Sequence, residues 1–147
     1  MIALGSDHGG FELKEQIKLH LSSKGVDFKD FGTDSEESIS YVVPARAVSK
    51  AVLSKECELG ILVCGTGIGI SIAANRAKGI RAAVCTDAFC TKLSRLHNNA
   101  NVLCLGGRVL AAQYALELVD VFLNTKFEGG RHLERINSID MEIEEYR

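Results

Sequence analysis

No stretch of 18 apolar residues occurs in the sequence, and no basic N-terminal region leads to a small-residue cleavage site, so neither a membrane span nor a signal peptide is predicted and a cytoplasmic protein is expected. An excess of basic residues is also missing. The formal net charge of -2 argues against a general nucleic-acid binder, and any polyanion site has to be local. The five cysteines, Cys57, Cys64, Cys85, Cys90 and Cys104, are odd in number and show no CxxC spacing. That favours reduced thiols over a disulfide or zinc framework. The four histidines form no HxH or HxxxH pair, so no metal ligation is expected, and no cofactor.

What is present is an ordinary globular composition, 46% hydrophobic and 24% charged, over 147 residues, which suits one domain spanning 1–147. Apolar runs at Met1–Ser6, Val26–Phe31, Ile61–Cys64, Ile80–Cys85 and Val102–Leu105 predict five strands, the second short and polar enough for a sheet edge. Between them, helices are predicted at Phe11–Lys24, with Leu13, Ile17 and Leu21 on one face, then at Pro44–Leu53, Ile70–Ala77, Ala88–Leu96 and Leu110–Leu123, the last with a stripe of Leu116, Val119 and Leu123. In the tail, Leu133, Ile136, Ile139 and Ile143 keep helical spacing and leave one narrow apolar seam for another surface, such as a second subunit. Strands alternating with helices imply a parallel sheet covered on both faces. Asp7, His8, Cys64, Thr66, Asp87 and Arg108 all come just after strand ends, and one rim is expected to collect them.

The stretch Leu59–Arg76, LGILVCGTGIGISIAANR, runs a strand into a helix through Gly65, Gly67 and Gly69, with Cys64 and Thr66 at the junction. Amides freed by glycine, together with a helix N-terminus, can close around a phosphate or an oxyanion. The spacing is not GxGxxG, and Gly69 is followed by Ile70-Ser71 where a nucleotide loop has GK[ST]. One small phosphorylated ligand or an oxyanion suits it better, and the plain alternative is a tight turn and nothing more. Cys64 sits where amides and the helix dipole favour a thiolate, able to act as nucleophile or base; the alternative is an inert core cysteine, the reading given to Cys85 and Cys104.

Among the histidines, His20 lies mid-helix with no partner in view and is read as surface, whereas His8 beside Asp7 and His97 beside Asn98 flank element ends and suit acid–base work or ligand contact. Arg131 and Arg135, four apart with His132 alongside and Gly129-Gly130 before them, fit a phosphate clamp; pairing with Glu128 or Glu134 on a solvated face is the alternative. Arg108 after Gly106-Gly107 adds to the phosphate reading.

The segments SDHGGFELK, GILVCGTGIGISIAANR, LSRLHNNANVL and GGRHLERI together resemble the ribose-5-phosphate isomerase B family, shared with the subunits of galactose-6-phosphate isomerase. The resemblance covers nearly the whole chain. It implies a Rossmann-like α/β/α sandwich, a homodimer or a tetramer built from dimers, active sites shared between subunits, and metal-free aldose–ketose isomerisation of a small sugar phosphate. By that resemblance Cys64 is the base, Thr66 assists at the sugar oxygens, and the amides of Gly65, Thr66, Gly67, Ile68 and Gly69 hold the oxyanion. His97 opens the ring, with Asp7 at the ring oxygen or hydroxyls. His8, Arg108, Arg131 and Arg135 surround the phosphate, and Asn98 is a substrate contact. Three departures stand out: Ile70 where some members carry a glutamate base, Asn99 where aspartate is common, and Tyr41-Val42-Val43-Pro44 in place of a Tyr-Pro pattern. Ribose 5-phosphate is the substrate the resemblance implies. Allose 6-phosphate or galactose 6-phosphate is the alternative, and a non-catalytic phosphate-ligand module or a structural dimerisation domain explains less of the chain.

Overall fold

Three strands buried along their whole length make the centre of the molecule. The computed structural model describes residues 1–142 and 145 and runs β1 (Ile2–Ser6), a 3-10 turn (His8–Gly10), α1 (Phe11–Ser23), β2 (Phe28–Asp30), α2 (Val42–Leu53), β3 (Leu59–Cys64), α3 (Ile68–Ala74), β4 (Ala82–Val84), α4 (Ala88–Leu96), β5 (Val102–Gly106), α5 (Ala112–Asn124) and α6 (His132–Ser138). The strands pair in the order β2-β1-β3-β5-β4, all parallel.

Successive strand side chains point to opposite faces, so β1, β3 and β5 feed two cores at once. Leu4, Ile61, Val63, Leu103 and Leu105 meet Leu13, Ile17 and Leu21 of α1 and Leu118, Val119 and Phe122 of α5. On the other face Ala3, Leu62, Cys64, Val102 and Cys104 meet Val48 and Val52 of α2 and Ile70 and Ala74 of α3. The result is the expected three-layer α/β/α sandwich, and its polar β2 does lie at an edge. That edge is fastened by charge. The ammonium of Lys14, fully buried, donates to Glu15 Oε1 at 2.9 Å and to Asp30 of β2, which also pairs with Lys18 at 2.9 Å.

Several sequence expectations shift. The buried face of α5 is Ala115, Leu118, Val119 and Phe122, with Leu116 and Leu123 only partly buried, because the helix is rolled toward α1 and α4. His20 is not a lone surface residue: its Nε2 lies 2.8 Å from Asp120 Oδ1 of α5, a partner one hundred positions away. The helix after the glycine loop starts two residues early, at Ile68, and ends at Ala74. In α6 only His132 is buried; Leu133 and Ile139 of the apolar seam are exposed, and Ile143 lies outside the described residues. No described helix is long and apolar enough to cross a membrane.

The connections place the chemistry. From β1 the chain steps outward to β2, and from β3 it crosses to the β5 and β4 side, so the strand order reverses between β1 and β3. In an open parallel sheet the crevice at that reversal, outside the carboxyl ends, is where ligands bind. Each helix then runs back, delivering its own C-terminus to the amino ends of the strands.

Candidate active site

At the carboxyl ends of β1 and β3 lie Asp7, His8 and the glycine loop. Cys64, the last residue of β3, is 4% exposed, and the amide of Gly67 donates to its Sγ at 3.1 Å. Gly67 reaches this position with φ of +80°, and a side chain there would meet the backbone of Leu105 at 3.1 Å, so glycine is needed twice over. The Ile68 amide donates to Thr66 Oγ1 at 3.3 Å. The amides of Gly65, Thr66 and Gly69 have no protein acceptor among the described residues. The loop thus directs one donor at the sulfur and leaves others for an incoming oxygen, the arrangement needed where negative charge develops.

Asp7 is buried, its amide donating to Val63 at 3.2 Å and its Oδ1 accepting from Gly10 at 3.2 Å. His8 Nδ1 accepts from the Ile39 amide at 3.2 Å, which in the neutral ring leaves the proton on Nε2 as a donor. His8, Gly9 and Arg108 share a polar cavity of about 420 Å³ with Glu12, Gln16 and Glu36. The guanidinium of Arg108 covers the place a side chain at Gly65 would take, at 3.1 Å, and its amide donates to the Gly65 carbonyl at 3.0 Å. Asp87 also follows a strand end, that of the edge strand β4, and there caps α4, its Oδ1 accepting from Cys90 at 2.7 Å.

His97, Asn98, Arg131 and Arg135 are elsewhere. His97 comes just after the last turn of α4, so it is delivered to the amino-terminal edge of the sheet, four residues before Asn101, whose carbonyl receives the amide of Gly60 at the start of β3. It is therefore separated from Cys64 by the length of a strand, ~17 Å. Here His97, Asn98, His132 and Arg135 line a second cavity of about 370 Å³. His132 is buried, and its imidazolium is held below the usual histidine range by burial first, then by the charges of His97 and Arg131. Among the described residues none of Arg108, Arg131 and Arg135 forms an ion pair, so the pairing with Glu128 or Glu134 is not made.

One chain therefore holds the candidate residues in two groups at opposite ends of its sheet: Asp7, His8, Cys64 to Gly69 and Arg108 at one, His97, Asn98, Arg131 and Arg135 at the other. A larger groove of about 600 Å³ between α2 and α3 touches neither. Two neighbours fall outside the sequence expectations. The Tyr41 ring lies against Gly69, where an added Cβ would meet its Cζ at 2.9 Å, and His132 stacks on His97 with centroids 4.3 Å apart. The Gly-Gly-Arg-His run was a signal for the second; nothing local points from Tyr41 to Gly69.

Residues 2–139 match the model of the ribose/galactose isomerase family. The chain is 49% identical over 138 residues to ribose-5-phosphate isomerase B of Escherichia coli, covering 94% of this chain and 93% of that one. A crystal structure of a ribose 5-phosphate isomerase from Thermotoga maritima superposes with a TM-score of 0.93 at 53% identity, over 95% and 96% of the two chains. A ribose-5-phosphate isomerase B from Mycoplasma genitalium, solved with bound ribulose-5-phosphate, gives 0.89 at 41% identity over 94% and 92%.

Proposed function

This chain belongs to the ribose/galactose isomerase family and is a sugar-phosphate isomerase, and from that premise we propose that it interconverts ribose 5-phosphate and ribulose 5-phosphate through an enediolate, without a metal, at a site completed by a second copy of the chain. The observation that carries the chemistry is Cys64: a buried sulfur at the β1/β3 crevice, receiving one loop amide while neighbouring amides stand free.

In this reading each step falls to a named group of one chain or of the second copy. His97 gives a proton to the ring oxygen as the bond from C1 to that oxygen breaks, while the C1 hydroxyl passes its proton to the Asp7 carboxylate and C1 becomes the aldehyde carbon. Cys64, as thiolate, then takes the C2 proton. The charge moving onto the carbonyl oxygen is met by the amides from Gly65 to Gly69, a contact stronger in the transition state than in the ground state. Thr66 carries the proton between the two sugar oxygens, and Cys64 returns its proton to C1. At the far end of the sugar His8 and Arg108 meet the phosphate from one subunit and Arg131 and Arg135 from the other, with Asn98 a further sugar contact.

Two observations support a shared site. His97 stands at the wrong end of its own sheet to reach Cys64, and the exposed Leu133 and Ile139 leave the tail's apolar seam uncovered by its own chain. Allose 6-phosphate and galactose 6-phosphate are the competing substrates. An assay of the pure protein with all three aldose phosphates, in chelator and without added metal, tests the reading: turnover is expected on ribose 5-phosphate, and turnover on a six-carbon sugar alone would overturn it.

A further inference from the structure

The rings of His97 and His132 stack with their planes 17° apart, and Oε2 of Glu128 lies 3.8 Å from Nε2 of each. His132 has a side chain only 7% exposed, and its Nε2 has no hydrogen-bond partner among the described residues. Glu128 is different: its side chain is 57% exposed, while its backbone amide, donating to the Leu96 carbonyl at 3.1 Å, fixes its root beside the end of α4. One carboxylate thus reaches from solvent to the edges of two imidazoles, one of them walled off from water. The three groups do not converge as a metal cage, because nearly parallel rings send their in-plane lone pairs side by side and not to one point.

Ring opening by His97 creates a demand at this place. Each turnover removes a proton from His97 and delivers a different one to Asp7, so His97 is left neutral and has to be recharged from outside. The groups facing it are His132, Glu128, Arg131 and Arg135. Of these, the guanidiniums cannot exchange a proton, and His132 is buried and disfavoured as a cation. The His97 side chain is 35% exposed in one chain, where the proposed second copy and the sugar would cover it, and of the groups facing it only Glu128 is both ionisable and exposed.

We propose that Glu128 is the proton port of the site, carrying protons between solvent and Nε2 of His97 without itself touching the sugar. The small rotation that closes 3.8 Å to hydrogen-bond distance is open to an exposed side chain, and such contacts tighten when ligand binds. His132 supplies the other half of the device, a neutral wall that keeps the transferred proton on His97.

This rests on His97 as the ring-opening acid, and the test separates the two ideas. For Glu128→Gln, turnover of ribose 5-phosphate in dilute buffer is expected to fall about tenfold or more, and to recover as imidazole buffer is raised, since a small acid replaces the missing port. Turnover of 4-deoxyribose 5-phosphate, which has no hydroxyl to close a furanose, should be unchanged. Equal losses on both sugars, or a loss that buffer does not repair, would mean a structural role and overturn the port. If instead His97→Asn leaves ribose 5-phosphate turnover intact, the ring-opening reading fails first and the port with it.

Discussion

At the scale of single residues, the proposed chemistry rests mostly on Cys64. Removing its sulfur leaves the loop amides, the arginines and the fold in place, so Cys64→Ala should still bind ribose 5-phosphate while losing isomerisation by about 10²- to 10⁴-fold, the usual contribution of a positioned base. Exchange of the C2 proton with solvent, monitored by NMR, should vanish with it; near-normal exchange would assign the base elsewhere. Cys64 was legible in the sequence because its surroundings are local: an apolar strand before it and glycines at alternate positions after it. Its four fellow thiols were legible by the same logic only in part, since Cys57, Cys85 and Cys104 are buried but Cys90 faces solvent. Burial pushes Cys85 and, more strongly, Cys104 up, away from thiolate chemistry. Residues whose meaning depends on a distant partner could not be read. Lys14 and Asp30 are 16 positions apart, and Tyr41 meets Gly69 only because α2 and α3 share a face.

At the scale of elements, the site is held by close backbone approach and by one charged fastening. A side chain at Gly10 would meet the Val63 carbonyl oxygen at 2.4 Å, so the turn after β1 lies flush on β3 and carries Asp7 and His8 with it. Gly10→Ala should therefore destabilise by several kcal/mol, about 3 or more, and raise KM for the sugar phosphate even in the folded fraction. Strands and helices were legible as types, but their ends moved by one to three residues, as at α3, whose N-cap is the left-handed Gly67. The β2 edge makes a second prediction. Burial raises the Asp30 carboxyl, but hydrogen bonds from Lys14, Lys18 and the Gly32 amide outweigh it and leave the group below its usual range. A carboxyl depressed in the folded state contributes stability that is complete above its unfolded value, about pH 4, and is lost as pH falls through the folded value. Asp30→Asn is expected to cost about 3 kcal/mol at neutral pH, because the buried Lys14 keeps only Glu15. In urea titrations the gap between wild type and variant should narrow below pH 4; a gap independent of pH would remove the charge from the explanation.

At the scale of the whole molecule, a parallel α/β sheet sorts residues by where they stand relative to strands and helices. Residues just after a strand go to one edge, and residues just after a helix go to the other. That rule put Asp7, His8, Cys64, Thr66 and Arg108 together and was visible in the sequence from the alternation alone. It also separates His97 and the α6 arginines from them, which the sequence could suggest only through family resemblance, because no pattern within one chain states what a second copy supplies. The separation has a strict consequence for the proposed shared site. Cys64→Ala and His97→Asn are each expected to be inactive on ribose 5-phosphate as pure dimers. When the two are dissociated, mixed in equal amounts and allowed to reassemble, half of the dimers should be mixed. Each mixed dimer has one site with both defects and one with neither, so the mixture should recover about a quarter of wild-type activity. A site built within one chain gives the opposite result, since every site would then carry one defect and mixing would restore nothing. The same experiment reads the arginines: Arg135→Ala mixed with Cys64→Ala should regain activity, because Arg135 stands in the half-site opposite to the sulfur, whereas Arg108→Ala, on the same half-site as Cys64, should not.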